Sequence, residues 1–311
     1  MKSFKAYLES QGKSKSTVEH YNQYLLDFLS YLDRDNTEPE NATAKEVLSY
    51  QNILKKRGYE NKTRNTRLSV IKQYFNYQIE LGERIENPIQ HLKIRGNKKQ
   101  MLYSLLDKQQ LESLYNEYKV PSNRSKSVQK NWFKRSQLSR ARNKAMISLM
   151  VNQGLVTSEV DRILVQDLKL KEGKIYIAGT RKSNERILEL KSNQMMELME
   201  YQYKTRAKLL NYCKEEVDNL FISTPPIGRD YNIRTDSKQV WKLLSKDVKE
   251  QHKNFTNFKQ VRTSVITHWL KEYNLREVQY MAGHRYVSST ESYLVNNTED
   301  LQKEIDEFHP V

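Results

Sequence analysis

Apolar side chains recur at the spacing of an α-helix through residues 1–95, and signals for the start of a helix precede them. Ser16–Glu19 (Ser-Thr-Val-Glu) has the pattern of a capping box, and Thr43–Glu46 (Thr-Ala-Lys-Glu) repeats it before a second apolar run. A third run extends from about Thr63 to Leu81, where Gly82 is placed to end a helix. Such helices bury their apolar stripes against each other, so we predict a helical N-terminal domain over residues 1–95.

The segment that follows this domain has the composition of a linker. Arg95–Gln100 is polar and basic, includes Lys98 and Lys99, and contains no large apolar side chain. We therefore predict a basic interdomain linker over residues 96–103. A chain of 311 residues has room for two domains, and the second is expected to occupy residues 104–311.

The second domain is predicted to be mainly helical with one small antiparallel sheet. Lys174–Ala178 and Arg186–Leu190 have the texture of strands, and Gly179–Asn184 has the composition of the turn between them. At the end of the chain, residues 298–308 are predicted to form a short helix with apolar residues along one side. The expected fold class is therefore mainly α, with a helical N-terminal domain and a mixed α/β C-terminal domain.

Charge and composition narrow the classes of partner. The chain has 53 Lys and Arg against 38 Asp and Glu, and the resulting net charge of +15 favours a polyanion such as nucleic acid. Its apolar runs are far shorter than the ~20 residues that span a bilayer, so no membrane partner is expected. The N-terminus has no apolar stretch typical of a secretory signal. The single cysteine, Cys213, favours a reducing compartment, and we expect a cytoplasmic protein.

The sequence predicts neither a metal site nor a cofactor. It contains no CxxC or HExxH motif and no cluster of carboxylates with the spacing of metal ligands. It also lacks a glycine-rich phosphate loop, which disfavours an enzyme driven by a nucleotide.

Several groups of basic residues are candidates for contact with a phosphate backbone. Residues 121–142 form a basic stretch that either contacts DNA or is a solvated insertion, and the sequence favours neither interpretation. Further basic residues lie at the start of the third helix and in the linker. The predicted DNA-binding residues are Lys62, Arg64, Arg67, Lys98, Lys99, Lys134 and Arg135.

The C-terminal third carries the groups needed to attack a phosphodiester. The phenol of Tyr293 is a nucleophile, the planar fork of Arg262 binds nonbridging oxygens, and His284 offers a hydrogen bond to the phosphate. Lys259 lies about one turn before Arg262, so on a helix the two side chains share a face. Each of these residues alone is common in a chain with 53 basic residues and 20 tyrosines. Their order and spacing together carry the interpretation.

These segments resemble one known family. Phe258–Leu270 resembles the H-x-L-R-H-S-F-A-T-H-L-L signature of tyrosine recombinases, the class of phage integrases and Xer proteins. Gln279–Tyr293 is similar to the L-L-G-H…S-T-x-x-Y segment of that family, and Gly179–Arg186 is similar to its hairpin turn. Residues 1–95 resemble its helical core-binding, SAM-like domain, so the resemblance covers nearly the whole chain.

The resemblance implies a site-specific DNA recombinase of the integrase or transposase type. Such an enzyme cleaves and rejoins double-stranded DNA through a 3′-phosphotyrosine, without a metal or a high-energy cofactor, and acts as a tetramer on two sites. The helix at residues 298–308 would dock on a neighbouring protomer. The implied location is the cytoplasm of a bacterium or archaeon, in association with the nucleoid.

The resemblance also assigns roles to individual residues. Arg262, His284 and Tyr293 take the places of the second arginine, the late histidine and the nucleophile of the family. Lys259 stands where histidine is usual, a substitution that the pattern accommodates. Lys182 best fits the lysine of the hairpin turn, which would reach the leaving oxygen.

One position departs from the family pattern. The family places its first arginine in the sequence G-L-R-x-S-E-L, whereas Gly154–Val160 reads Gly-Leu-Val-Thr-Ser-Glu-Val, with Val156 at the arginine position. A basic residue from elsewhere is expected to replace it, with Arg181 as the first candidate and Arg162 as the second. Arg181 is also the alternative to its neighbour Lys182 as the hairpin cation.

Three interpretations of Val156 follow. The enzyme is active with a replacement cation, or it is active but slower by a factor on the order of 10²–10³, or it is a relative that binds DNA without cleaving it. We favour activity because the other members of the group are present. A type IB topoisomerase-like enzyme shares the chemistry, but the helical N-terminal domain and the spacing of the motifs disfavour it.

Overall fold

The computed structural model describes residues 3–95, 104–121, 131–212, 217–223 and 237–294. The chain divides into two compact units, Met1–Gln100 and Met101–Val311. The linker predicted at residues 96–103 and the helix predicted at residues 298–308 lie outside the described residues.

The first unit is helical, as its apolar periodicity predicts. Its helices are α1 (Phe4–Ser10), α2 (Lys15–Arg34), α3 (Ala44–Lys56) and α4 (Asn61–Glu80). The capping box predicted at Ser16–Glu19 is wrong, because α2 has already begun and Ser14 caps it by accepting the Thr17 N–H. The box before α3 is confirmed, since the Glu46 carboxylate accepts the Thr43 N–H at 2.8 Å.

The apolar stripes of these four helices meet in one core. Phe28 of α2 and Phe75 of α4 are fully buried, with ring centroids 6.3 Å apart in an edge-to-face arrangement. Leu8 of α1 and Leu54 of α3 close the same cluster. Burial of each such side chain contributes roughly 2 kcal/mol, so packing rather than helix propensity holds this unit together.

The second unit is mainly helical and contains one small sheet. Its helices are α5 (Lys108–Asn116), α6 (Asn131–Gln153), α7 (Thr157–Val160), α8 (Ser192–Glu200), α9 (Arg206–Leu210), α10 (Ser237–Gln251), α11 (Phe258–Glu272), α12 (Leu275–Ala282) and α13 (Val287–Glu291). A short π-helical turn, Tyr201–Thr205, joins α8 to α9.

Helix α11 runs through the core of this unit, where it packs against α6. Every residue from Gln260 to Thr267 is buried, although the segment contains polar side chains. Backbone groups pair with several of them: Gln260 donates to the Ser104 carbonyl at 2.8 Å, and the Ser264 hydroxyl accepts the Leu106 N–H at 2.9 Å. A polar helix can lie in a core in this way when most of its donors and acceptors are paired.

The sheet is an antiparallel meander of three strands in the order β1-β2-β3. They are β1 (Leu168–Lys169), β2 (Lys174–Ile177) and β3 (Arg186–Glu189). The hairpin predicted from the sequence is confirmed to within one residue, with Ile175 opposite Leu188, whereas β1 was not predicted. Residues alternate between the core and solvent along β3, which places Arg186 and Leu188 on the core face and leaves Ile187 42% exposed.

Gly154 connects the end of α6 to the loop before α7, and its backbone is in the left-handed region at φ +59°. A Cβ at this position would lie 3.0 Å from the Trp269 ring and 3.2 Å from Val265. Both neighbours belong to α11, so the site leaves no room for a side chain.

We predict that Gly154→Ala lowers the free energy of unfolding of the second unit by about 2–4 kcal/mol, because the substitution adds both backbone strain and overpacking. Gly173→Ala is the matched control: it has φ +64°, but its Cβ would meet only the Met195 sulfur at 3.4 Å. The control is expected to lose about 1 kcal/mol. Urea unfolding followed by tryptophan fluorescence reports on this unit alone, because Trp132, Trp241 and Trp269 all lie in it. Equal losses in the two variants would contradict the packing argument.

Candidate active site

The Arg262 guanidinium is held at the point where several segments of the second unit meet. Its Nη1 donates to the Gly154 carbonyl at 2.6 Å, and its Nη2 donates to the Ala282 carbonyl at 2.7 Å. Its Nη1 also lies 3.6 Å from a Glu159 oxygen, and its side chain is 10% exposed. Burial lowers the pKa of Arg262 from its usual range, while the charge of Glu159 opposes that shift. The two carbonyls fix the plane of the guanidinium.

His284 lies beside this guanidinium. Its Nε2 is 3.2 Å from Arg262 Nη2, and its Nδ1 is 2.9 Å from the Thr290 hydroxyl. Arginine has no acceptor, so Nε2 of the imidazole must accept and the proton is assigned to Nδ1, which donates to Thr290. Burial, followed by the charges of Arg262 and Arg186, lowers the pKa of His284 to about 4. His284 is therefore neutral at pH 7.

Tyr293 stacks on His284. The two ring centroids are 5.7 Å apart and the rings are inclined by 16°. The tyrosine lies in the turn after α13, where its N–H donates to the Thr290 carbonyl at 3.0 Å. The same Thr290 therefore positions both the imidazole and the tyrosine. The structure thus brings together Arg262, His284 and Tyr293, as the sequence motifs predict.

The tip of the β2–β3 hairpin is joined to the segment that carries His284. Ser183 forms a β-bridge with His284, and the Asn184 N–H donates to the Gly283 carbonyl at 3.0 Å. Lys182 and Arg181 are exposed at this tip, and the Arg181 carbonyl accepts from Arg285 at 3.0 Å. The backbone of the turn therefore adjoins the histidine, while its two cations face solvent.

The structure places two further predicted residues on the surface. Lys259 is exposed at the start of α11, one turn before the buried Arg262. Arg162 is exposed just after α7, where its N–H donates to the Glu159 carbonyl at 3.0 Å.

At the position of the missing arginine, Val156 is the N-cap residue of α7. Its N–H donates to a Glu159 oxygen at 3.0 Å. The Glu159 carboxylate also accepts two bonds from Arg186, from Nη1 at 2.8 Å and from Nη2 at 3.0 Å. Burial alone would raise the pKa of Glu159, but the hydrogen bonds and charge of Arg186, with the charge of Arg262, hold that pKa below its usual value. The carboxylate is therefore ionised between two guanidinium groups.

The sequence motifs identified neither Arg186 nor its partner Glu159 as residues of this site, and they also missed Thr290. The Arg186 side chain is 0% exposed, and that of Glu159 is 3% exposed. A signal was present, because the strand pattern Arg-Ile-Leu-Glu puts an arginine on the same face as a core leucine. That signal becomes informative only when the buried face of the strand is known.

The predicted DNA-binding residues of the first unit have different environments. Lys62 is exposed, whereas Arg64 and Arg67 are 8% and 7% exposed. Arg67 is paired with Asp27 at 2.9 Å and donates to the Tyr50 hydroxyl at 2.9 Å. Arg67 is therefore a core residue of the helical unit in this structure, and Lys62 is the better placed of the three for an external anion.

In the second unit, Lys134 is exposed on the first turns of α6, and Arg135 lies 4.6 Å from the centroid of the Tyr212 ring. Lys98 and Lys99 lie outside the described residues. Within the described parts of the chain, no three His, Cys, Asp or Glu residues are grouped as metal ligands. A search of the same residues finds no helix that is both long and apolar enough to cross a membrane.

Comparison with known families gives matches to both parts of the chain. The sequence model described as "Phage integrase family" matches residues 104–300. A second model, "Phage integrase, N-terminal SAM-like domain", matches residues 1–82. Together the two matches cover both compact units.

Curated relatives match over nearly the full length. Tyrosine recombinase XerA of Pyrococcus horikoshii is 25% identical over 311 residues, which cover 98% of this chain and 92% of the relative. Tyrosine recombinase XerD of Oceanobacillus iheyensis is 26% identical over 305 residues, with 96% and 94% coverage.

Solved structures share the fold. The XerH site-specific recombinase, in a post-cleavage complex with its palindromic difH substrate, has a TM-score of 0.68 at 18% identity and covers 93% of this chain and 79% of its own. A λ integrase tetramer bound to a Holliday junction has a TM-score of 0.61 at 16% identity, with 93% and 74% coverage. These likenesses establish the architecture of the fold.

We predict that the second unit loses stability as the pH falls from 6.5 to about 4. In this window the unfolded chain binds a proton at His284, whose usual pKa is 6.5, and the folded protein does not, so acid favours unfolding. Urea unfolding at several pH values, followed by tryptophan fluorescence, measures the slope. His284→Asn is expected to flatten it in this window, and parallel profiles for the two proteins would contradict the assigned pKa.

Proposed function

The chain belongs to the phage integrase family, and on this basis we propose that it is a site-specific tyrosine recombinase whose nucleophile is Tyr293. The observation that carries the proposal is the assembly of Arg262, His284 and Tyr293 from three separate segments into one site. The substrate is double-stranded DNA, in keeping with the net charge of +15.

In the proposed reaction, the Tyr293 oxygen attacks the phosphorus of a DNA phosphodiester. A bond from that oxygen to phosphorus forms, and the bond from phosphorus to the 5′ oxygen breaks, which leaves a 3′-phosphotyrosine and a free 5′ hydroxyl. Attack by a 5′ hydroxyl reverses these bonds and rejoins a strand. The energy of the phosphodiester is retained in the phosphotyrosine, so the proposed cycle uses no nucleotide cofactor.

Arg262 is proposed to bind the nonbridging oxygens of the phosphate. The carbonyls of Gly154 and Ala282 already hold its guanidinium in one plane, so little reorganisation accompanies the build-up of charge on those oxygens. Bound phosphate would compete for the Nη2 donor that now points at His284. The in-plane Nε2 lone pair of the neutral imidazole would then be available to accept the phenol proton of Tyr293, whose ring lies beside it.

Lys182 is proposed as the acid that protonates the departing 5′ oxygen. The supporting observation is the position of its turn, which pairs with the backbone of His284 while the lysine side chain remains exposed. Arg181 in the same turn is the alternative. Lysine is the more suitable donor because arginine holds its proton above pH 12.

A homo-tetramer on two DNA sites is the proposed assembly, by analogy with the λ integrase tetramer on a Holliday junction. A cytoplasmic location is proposed for a protein with this substrate. The intact group around Arg262 disfavours a relative that only binds DNA. The match of residues 1–82 to the SAM-like domain of integrases disfavours a type IB topoisomerase.

We predict that the protein forms a covalent adduct on a nicked suicide substrate that carries its own recombination site, and that Tyr293→Phe forms none. Tyr286→Phe is the matched control, because Tyr286 is 67% exposed and lies in the same stretch of chain. The adduct is separated from free DNA by denaturing electrophoresis. An adduct that persists in Tyr293→Phe would refute the assigned nucleophile, and relaxation of a plasmid without a site would favour the topoisomerase.

We predict that Lys182→Ala slows cleavage by about 10²–10⁴-fold on an ordinary substrate, as loss of a general acid does. A substrate with sulfur at the 5′ bridging position is expected to restore the rate, because a thiolate leaves without a proton. Arg181→Ala is the matched control in the same turn. Rescue of Arg181→Ala but not of Lys182→Ala by the sulfur substrate would assign the acid to Arg181 instead.

A further inference from the structure

An arginine occupies the core face of β3, where the strand pattern calls for an apolar residue. Arg186 is fully buried, while Ile187 beside it is 42% exposed. Burial of a charge costs several kcal/mol, and replacement of a buried ion pair by apolar side chains is often neutral or stabilising. Stability of the fold therefore does not by itself account for an arginine at this position.

The Arg186 guanidinium lies directly behind the segment that carries the site. A Cβ on Gly283 would be 2.3 Å from Arg186 Nη1 and 2.9 Å from Cζ, so the glycine leaves the space that the guanidinium occupies. The neighbours of Gly283 are Ala282, whose carbonyl accepts from Arg262, and His284. Arg186 thus packs against the residue that separates two of the groups in contact with Arg262, the Ala282 carbonyl and the His284 imidazole.

Charge counting shows what Arg186 contributes. Glu159 lies 3.6 Å from Arg262, and without another cation the two formal charges would sum to zero. The bidentate ion pair with Arg186 compensates the negative charge of Glu159, so the formal charges of Arg262, Glu159 and Arg186 sum to +1. An arginine at position 156, with Arg262 and Glu159, would give the same sum. Val156 supplies no charge, and its contact with Glu159 is made by the backbone N–H.

We propose that Arg186 replaces the arginine missing at Val156 by compensating the charge of Glu159. The positive charge of Arg262 is then not cancelled by Glu159 and remains for the DNA phosphate. Arg186 is a positioning residue, since its side chain is 0% exposed and acts on the reacting atoms through Glu159 and Arg262. This inference rests on the proposed function. It also replaces Arg181 and Arg162 as candidates, because both are exposed, whereas the guanidinium paired with the buried Glu159 is that of Arg186.

The lowered pKa of His284 agrees with this assignment. Burial is its largest cause, and the charges of Arg262 and Arg186 are the next two. The field of Arg186 therefore reaches the imidazole that stacks on Tyr293.

The test compares Arg186→Met with a matched loss of another buried arginine. Arg142→Met is the control, because Arg142 is 5% exposed in the same unit and bonds to Asn143 and the Ile222 carbonyl, away from the site. Each variant is assayed on the suicide substrate with an ordinary phosphate and with a neutral methylphosphonate at the cleaved position. Unfolding followed by tryptophan fluorescence identifies any variant that is not folded.

We predict that Arg186→Met slows cleavage of the phosphate at least tenfold more than Arg142→Met does, and that most of this difference disappears on the methylphosphonate. A neutral substrate needs less positive charge in the site, whereas a structural defect would affect both substrates alike. Equal rates for wild type and Arg186→Met, or equal deficits on the two substrates, would overturn the proposal.

A second variant moves the guanidinium instead of deleting it. Val156→Arg combined with Arg186→Met keeps Glu159 compensated, so it is expected to fold and to cleave at least tenfold faster than Arg186→Met. Where Arg186→Met itself does not fold, this double variant is compared with wild type. Cleavage within tenfold of wild type supports the proposal, and a loss of more than a hundredfold overturns it.

A measurement without DNA separates this inference from the proposed function. The pKa of His284, followed by NMR, is expected to rise by a unit or more in Arg186→Met, because Glu159 is left uncompensated near the imidazole. An unchanged pKa would overturn the electrostatic role of Arg186 even if the wild-type protein formed no adduct. Failure of wild type to form an adduct, with the pKa shift present, would refute the recombinase assignment alone.

Discussion

The buried Arg262 guanidinium is the interaction on which the rest of the site depends. Its hydrogen bonds to the carbonyls of Gly154 and Ala282 tie the end of α6 to the end of α12. A third hydrogen bond, from Nη2, is accepted by the Nε2 lone pair of His284 and orients the imidazole. A charge in this position is stable only if its donors are satisfied and its environment keeps a compensating anion. Glu159 is that anion, and a third charged group then determines how much positive charge remains for a substrate.

The site illustrates how buried charge is shared among elements of different kinds. Glu159 comes from a single turn of helix, Arg262 from a core helix and Arg186 from an edge of the small sheet. The hairpin that delivers Arg186 also carries the exposed Lys182 at its tip and pairs with the backbone of His284. A single β-hairpin therefore supplies a buried charge in the strand pair nearest its turn and an exposed lysine in the turn itself. Its pairing with residues 283–284 places both beside the segment that carries the imidazole.

Much of this arrangement was predictable from the sequence. The helices of the first unit, the hairpin and the grouping of Arg262, His284 and Tyr293 follow from apolar periodicity and from motif spacing. The start of α2 was not predictable, because Ser14 and Ser16 are both good N-cap residues and the sequence does not distinguish between them. The burial of Arg67 was also missed, since its partners Asp27 and Tyr50 belong to other helices.

The sequence by itself determined the two helical units, the order of the reactive residues and the absence of an arginine at position 156. Only the tertiary structure decided which cation joins Glu159, because that choice depends on which face of β3 is turned to the core and on contacts between residues 27 positions apart. Strand alternation distinguishes two faces without saying which one is buried. An ion pair, moreover, forms between the groups that the fold brings within about 3 Å, whatever their separation along the chain.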